Sequence, residues 1–218
     1  MPPRFRLGQD PSQFGHLIHP FDIAELEERV FAEATRQGTT SPPNLFWPGG
    51  LATGINHACE PLSGYKGGGQ DGNNCIRLVA ITGNFSTGVF NYGENNLLKL
   101  GSIKSSVMWI VIPQNVVGDA LAQKITQGCI QSMSVLYLSN LSNNDQNSIP
   151  VIVRAIEFQT CYIIFVDLFS SPYLVVVGFS YLSLVMTRQD RDPTEDHQAR
   201  GNRVTTIDFS SGGAKNSA

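Results

Sequence analysis

Ser171-Pro-Tyr-Leu-Val-Val-Val-Gly-Phe-Ser-Tyr-Leu-Ser-Leu-Val-Met-Thr187 contains no charged residue and is followed by a polar stretch. A surface strand of an ordinary monomer alternates apolar and polar residues. As a strand, this segment would carry Leu174, Val176, Leu182, Leu184 and Met186 on one face. Tyr173, Val175, Val177, Phe179, Tyr181 and Val185 would fall on the other. Both faces are apolar, so each needs a cover.

Three covers compete. Leu168–Thr187 has the length of a transmembrane helix, but Pro172, the serines and the β-branched and aromatic residues argue against one. A central strand covered by the chain's own loops or helix is the plain structural reading. The favoured reading is contact with another copy of the chain, because the double-faced pattern recurs at Val107–Ile112 and Cys161–Leu168. Large apolar patches left exposed generally mark contact surfaces.

The rest of the sequence reads as mainly β. Runs at 76–82, 85–92, 107–112, 133–139, 149–158, 161–168 and 173–186 are rich in Val, Ile, Phe and Tyr and bounded by Gly, Pro, Asn or Ser. Leu97–Leu100 and Leu45–Trp47 are weaker strands, and a short helix is expected at about 119–127, ending at Gly128. Few helices separate the strands, which excludes a parallel α/β sheet and predicts an antiparallel β-sandwich, a jelly roll by strand number.

One helix is expected before the strands. Asp22 is a good N-cap, with Glu25 completing a capping box and Phe21 and Leu26 placed as a hydrophobic staple. Ile23, Leu26 and Val30 recur at helical spacing, Phe31 and Ala34 widen the stripe, and Gly38 stops it. The expected organisation is an N-terminal arm and helix (1–40), a β-sandwich (41–187) and a polar C-terminal extension (188–218) with an apolar clasp at Val204, Ile207 and Phe209.

Charged residues are only 15% of the chain and the formal charge is −3, so nothing advertises a polyanion partner. The start MPPRFRLGQD lacks the apolar core of a secretory signal, and the chain is expected in the cytosol as made. Cys59, Cys75, Cys129 and Cys161 are widely spaced and read as thiols, Cys129 and Cys161 in apolar neighbourhoods. The sequons at Asn84 and Asn140 read as silent.

No constellation reads as an active site, and the chain is not expected to be an enzyme. GFSYL lacks the second glycine of a nucleophile elbow. His57 with Cys59 or Cys129 is a chance pairing. His16 and His19 lack a third metal ligand. Gly67–Asn74 lacks the lysine of a phosphate loop, and its Asp71, Asn73 and Asn74 match no full calcium loop. No cofactor or metal is expected. The candidate assembly surface comprises Trp47, Trp109, Tyr162, Phe165, Tyr173, Phe179 and Tyr181, with Trp109 in VMWIVI also suited to the core.

LVVVGFSYLSLVM, a glycine within alternating aromatic and aliphatic residues, resembles the last strand of single jelly-roll coat proteins of small icosahedral viruses. A preceding arm with a helix and a following polar extension add to the resemblance, which covers residues 75–187. It implies a capsid subunit located in the virion and assembled in the host cytoplasm. Its partners would be copies of itself, other capsid chains and a host receptor. Residues 1–20 lack the basic arm of many such coats, which implies weak or indirect nucleic-acid contact. The alternative is an oligomeric adhesin or lectin using loops 67–74 and 140–147.

Overall fold

The computed structural model describes residues 18–36, 44–49, 75–92, 97–140, 150–191, 199–209 and 213–217. Helix α1 spans Ile23–Thr35, and the Asp22 side chain accepts a hydrogen bond from the Glu25 N–H at 3.2 Å, as a capping residue should. Leu26 is buried and Phe21 packs beside it. The expected stop at Gly38 lies outside the described residues.

The strands are β1 (Leu45–Trp47), β2 (Ile76–Arg77), β3 (Ala80–Thr82), β4 (Phe85–Tyr92), β5 (Leu97–Ser105), β6 (Met108–Pro113), β7 (Ile130–Asn140), β8 (Pro150–Asp167), β9 (Leu174–Ser180), β10 (Ser183–Arg191), β11 (Ala199–Asp208) and β12 (Gly213–Ser217). Helix α2, Val116–Gln127, starts three residues earlier than expected. The reason is Asn115, whose side chain accepts from the Val117 N–H at 2.9 Å. Gly128 ends it at φ 114°, a conformation only glycine adopts freely.

All described strand pairs are antiparallel. The pairings run in a circuit. β1 pairs β7, β7 pairs β8, β8 pairs β9, β9 pairs β6 and β6 pairs β3. Leu78 and Val79 then join β3 to β2, donating to the carbonyls of Asn44 and Val111, and β2 returns to β1. The mainly β, antiparallel expectation holds. A jelly-roll strand order does not describe this circuit.

β10, β11 and β12 extend the sheet outward from the first half of β8. In its described parts, the stretch after Thr187 is therefore sheet. Of the residues expected as a clasp, Ile207 is buried in the main core and Phe209 packs against it, while Val204 is half-buried.

Two runs expected as separate strands, 149–158 and 161–168, form the single strand β8, while 173–186 splits into β9 and β10. Both changes have one origin. The ladder between β8 and β9–β10 passes from one sheet to the other at Thr160, which has φ 53°. There both strands turn their faces over. Phe158 and Cys161 both enter the main core, as do Tyr181 and Leu184, while Leu182 is left exposed. Bends of this kind make the corners where strands change sheets. β4 and β5 form a separate two-stranded hairpin, its base closed by the Ser106 N–H on the Asn84 carbonyl at 2.8 Å.

Candidate assembly surface

The opening stretch has its two faces in two different cores. Val175, Val177 and Phe179 point into the main cluster with Ile110, Ile112, Val117 and Leu121 of β6 and α2. Leu174 and Val176 point outward with Trp109 and Val111, and there Leu26 and Ile23 of α1, with Phe21 just before it, cover them. The favoured expectation, that a second copy covers this face, is corrected by the chain's own helix. Nor is the stretch a membrane span: it is strand, and among the described residues no helix is long and apolar enough to cross a membrane.

Polar contacts fasten the helix in place. Glu27 accepts from the Ser171 hydroxyl, and the same buried Oγ accepts from the backbone N–H groups of Tyr173 (3.0 Å) and Leu174 (2.9 Å). Arg29 donates to the Val79 carbonyl at 2.6 Å, and Arg77 pairs with Glu33. A helix presenting only one fully buried residue needs such fasteners, since each charge-assisted bond contributes more than a neutral one.

The seven aromatic residues expected on an assembly surface separate into distinct environments. Phe179 and Tyr181 are interior, in edge contacts with Phe158 at centroid distances of 5.2 and 4.9 Å. Trp109 is buried under α1, 5.2 Å from the half-buried ring of Phe165. Trp47 is half-buried against Leu45, Cys75, Leu136 and Leu138, and Tyr162 is half-buried on β8. Tyr173 alone is exposed, at 56%. It meets Phe31 of α1 at 5.2 Å, and Phe31 is itself 48% exposed. Phe169, 94% exposed in the turn after β8, was not expected on a surface. Its position in the Phe-Ser-Ser-Pro turn is the sequence signal that could have found it.

The titratable groups describe structure more than chemistry. Burial pushes the Cys161 thiol up to about 12, which leaves it unreactive at neutral pH. Cys129 is exposed, not in the apolar neighbourhood expected. Burial, with Cys161 nearby, also pushes the Tyr181 phenol up to about 12. His19 stands 3.8 Å from Asp167, and Phe21 and Phe165 flank its ring. Among the described residues, no three His, Cys, Asp or Glu side chains gather as a metal site. His16, His57, Cys59 and the 67–74 loop lie outside the described residues, as does the 141–147 part of the other expected binding loop.

No protein-family model matches the chain, and no curated protein matches it by sequence. Its structure is similar to that of a type six secretion system protein, with TM-score 0.51 at 11% identity over 65% of this chain and 87% of that one. It is similar also to Hcp1 from Salmonella typhimurium, with TM-score 0.51 at 10% identity over 81% of this chain and 100% of that one. The fold is Hcp-like. The expected resemblance to a viral coat protein is overturned by these structures, and with it the capsid function and the virion localisation. The adhesin or lectin alternative finds no support in them either.

Proposed function

We propose that this chain is a structural subunit of a type VI secretion-type apparatus that works by associating with copies of itself and not by chemistry. The observation that carries this reading is the fold shared over the whole length of Hcp1. A fold hosts more than one function, so the site must support the step. Here the exposed residues suited to contact are Phe31 of α1, which meets Tyr173, and Phe169 in the β8–β9 turn. Leu182 and Phe85, each 46% exposed, add two further apolar contact points. Burying such surface contributes about 25 cal/mol per Å² before the costs of association.

Light scattering on the purified full-length protein, with negative-stain imaging of the same fractions, tests the reading. Symmetric oligomers or stacks of them are the expected result. A monomer of 23.8 kDa at high micromolar concentration would overturn it.

A further inference from the structure

Two arginines occupy directly opposed positions on neighbouring strands. Arg154 on β8 faces Arg188 on β10. On the other side of Arg154 stands Tyr137 of β7. Directly opposed residues share a face of the sheet, and strands lie about 4.8 Å apart, so the two guanidinium stems stand side by side. The face is the one that carries the main core. Along it, Phe158 and Leu184 are buried, Ile156 and Met186 are half-buried, and Arg154 and Arg188 emerge exposed.

Like charges directly opposed across a ladder destabilise it. The Arg154 guanidinium is nevertheless held over its neighbours, 5.4 Å from the Tyr137 ring centre and 2.9 Å from the Met186 sulfur. Among the described side chains, the ion pairs are His19–Asp167 and Arg77–Glu33, so neither Arg154 nor Arg188 is neutralised by a described carboxylate. Two adjacent exposed positive charges in a chain of net charge −3 call for an acidic partner.

The same chain presents one. On α1, Glu27 and Glu33 are engaged by Ser171 and Arg77, while Glu25 and Glu28 are exposed. Residues three apart on a helix place their β-carbons about 5–6 Å apart, close to the spacing of opposed arginines across strands. α1 lies on the outer face of β6 and β9, whereas the arginines lie on the core-side face of β8 and β10, so the two sets meet only between copies.

We infer that the opposed arginines Arg154 and Arg188 receive the acidic face of helix α1, at Glu25 and Glu28, from a second copy of this chain. The contact is head-to-tail, a geometry that builds rings or filaments. It rests on the self-association reading above.

The test is sedimentation and light scattering of the full chain carrying Arg154→Glu with Arg188→Glu, Glu25→Lys with Glu28→Lys, or all four changes. Each pair of reversals should weaken association about tenfold or more, since juxtaposed like charges cost several kcal/mol. The fourfold variant should recover it, and added salt should weaken the wild type. Circular dichroism confirms that each variant is folded, and the helix pair, at exposed positions, serves if the strand pair is not. A monomeric wild type would sink the self-association reading itself. A wild type that assembles while both reversed pairs assemble equally well, or a folded fourfold variant that stays weak, would overturn this interface and leave that reading standing. So would capture of a single-stranded oligonucleotide by the arginine pair with assembly unchanged in the reversed variants.

Discussion

Trp109 faces Gly178 across the β6–β9 ladder, and its ring fills the space a side chain at 178 would need. A β-carbon on Gly178 would stand 2.7 Å from Cζ3 and 3.0 Å from Cε3 of Trp109, and 3.1 Å from Cβ of Phe165. The glycine in the opening stretch is thus a seat for an indole beneath helix α1. Gly178→Ala should force the ring aside and cost about 1–3 kcal/mol, the usual range for overpacking. Urea unfolding measures this, and a loss under about 0.5 kcal/mol would show that the ring has room to move.

Helix α1 is the cover for the outer face, and Leu26 is its one fully seated side chain. Leu26→Ala should cost about 2–4 kcal/mol, within the range for large-to-small core changes. It should also raise binding of an apolar dye, because Leu174, Val176 and Trp109 lose their lid. Exposed Ala32→Ser on the same helix should leave both readouts near wild type. Equal stability of Leu26→Ala and wild type would mean that α1 does not close this face.

Much of this fold was legible in the residues, and the losses have physical causes. The α1 cap, the two-faced strands, the β4 boundaries and the packing of Ile207 and Phe209 follow from local chemistry that the sequence states directly. The corner at Thr160 was not legible, because threonine is an ordinary strand residue and nothing nearby marks a left-handed turn. Missing it reversed the expected faces beyond Tyr181 and merged the wrong strands. The assembly surface failed for a related reason: an apolar residue facing away from one core reads the same whether a helix or a neighbour covers it. The coat-protein resemblance drew on Gly178 and its aromatic neighbours; the glycine seats Trp109, and Phe179 and Tyr181 pack against Phe158 in the main core. The arginine pair was invisible because two positions far apart in sequence align only through register.

Asp167 holds the turn that leads into β9. Burial alone would raise its carboxyl, but the Ser170 hydroxyl, the backbone N–H groups of Phe169 and Ser170, and His19 nearby hold it below the ordinary carboxylate range. A depressed folded-state value contributes stability that is present above the unfolded value, about 3.9, and is lost as pH falls through the folded one. Wild type should therefore melt above Asp167→Asn at pH 5, and the gap should shrink below about pH 4. A gap as wide at pH 3 as at pH 5 would show that the carboxylate charge is not what the turn uses.

Thr160 is the residue that turns β8 from one sheet to the other, and it does so at φ 53°. A β-branched side chain is a poor occupant of that region, where asparagine is several-fold enriched. Thr160→Asn should therefore stabilise the protein, by up to about 1 kcal/mol, the lower end of the left-handed penalty. Thr160→Val keeps the branch at Cβ and should give no such gain. The urea midpoint of both variants separates relief of backbone strain from any effect of the hydroxyl, provided the slope stays that of the wild type. If asparagine proves no better than valine, the corner is held by its packing, Phe158 and Cys161 on one strand against Tyr181 and Leu184 on the other, and Thr160 merely follows. If asparagine stabilises and valine does not, the strained residue is itself the hinge on which the two sheets meet.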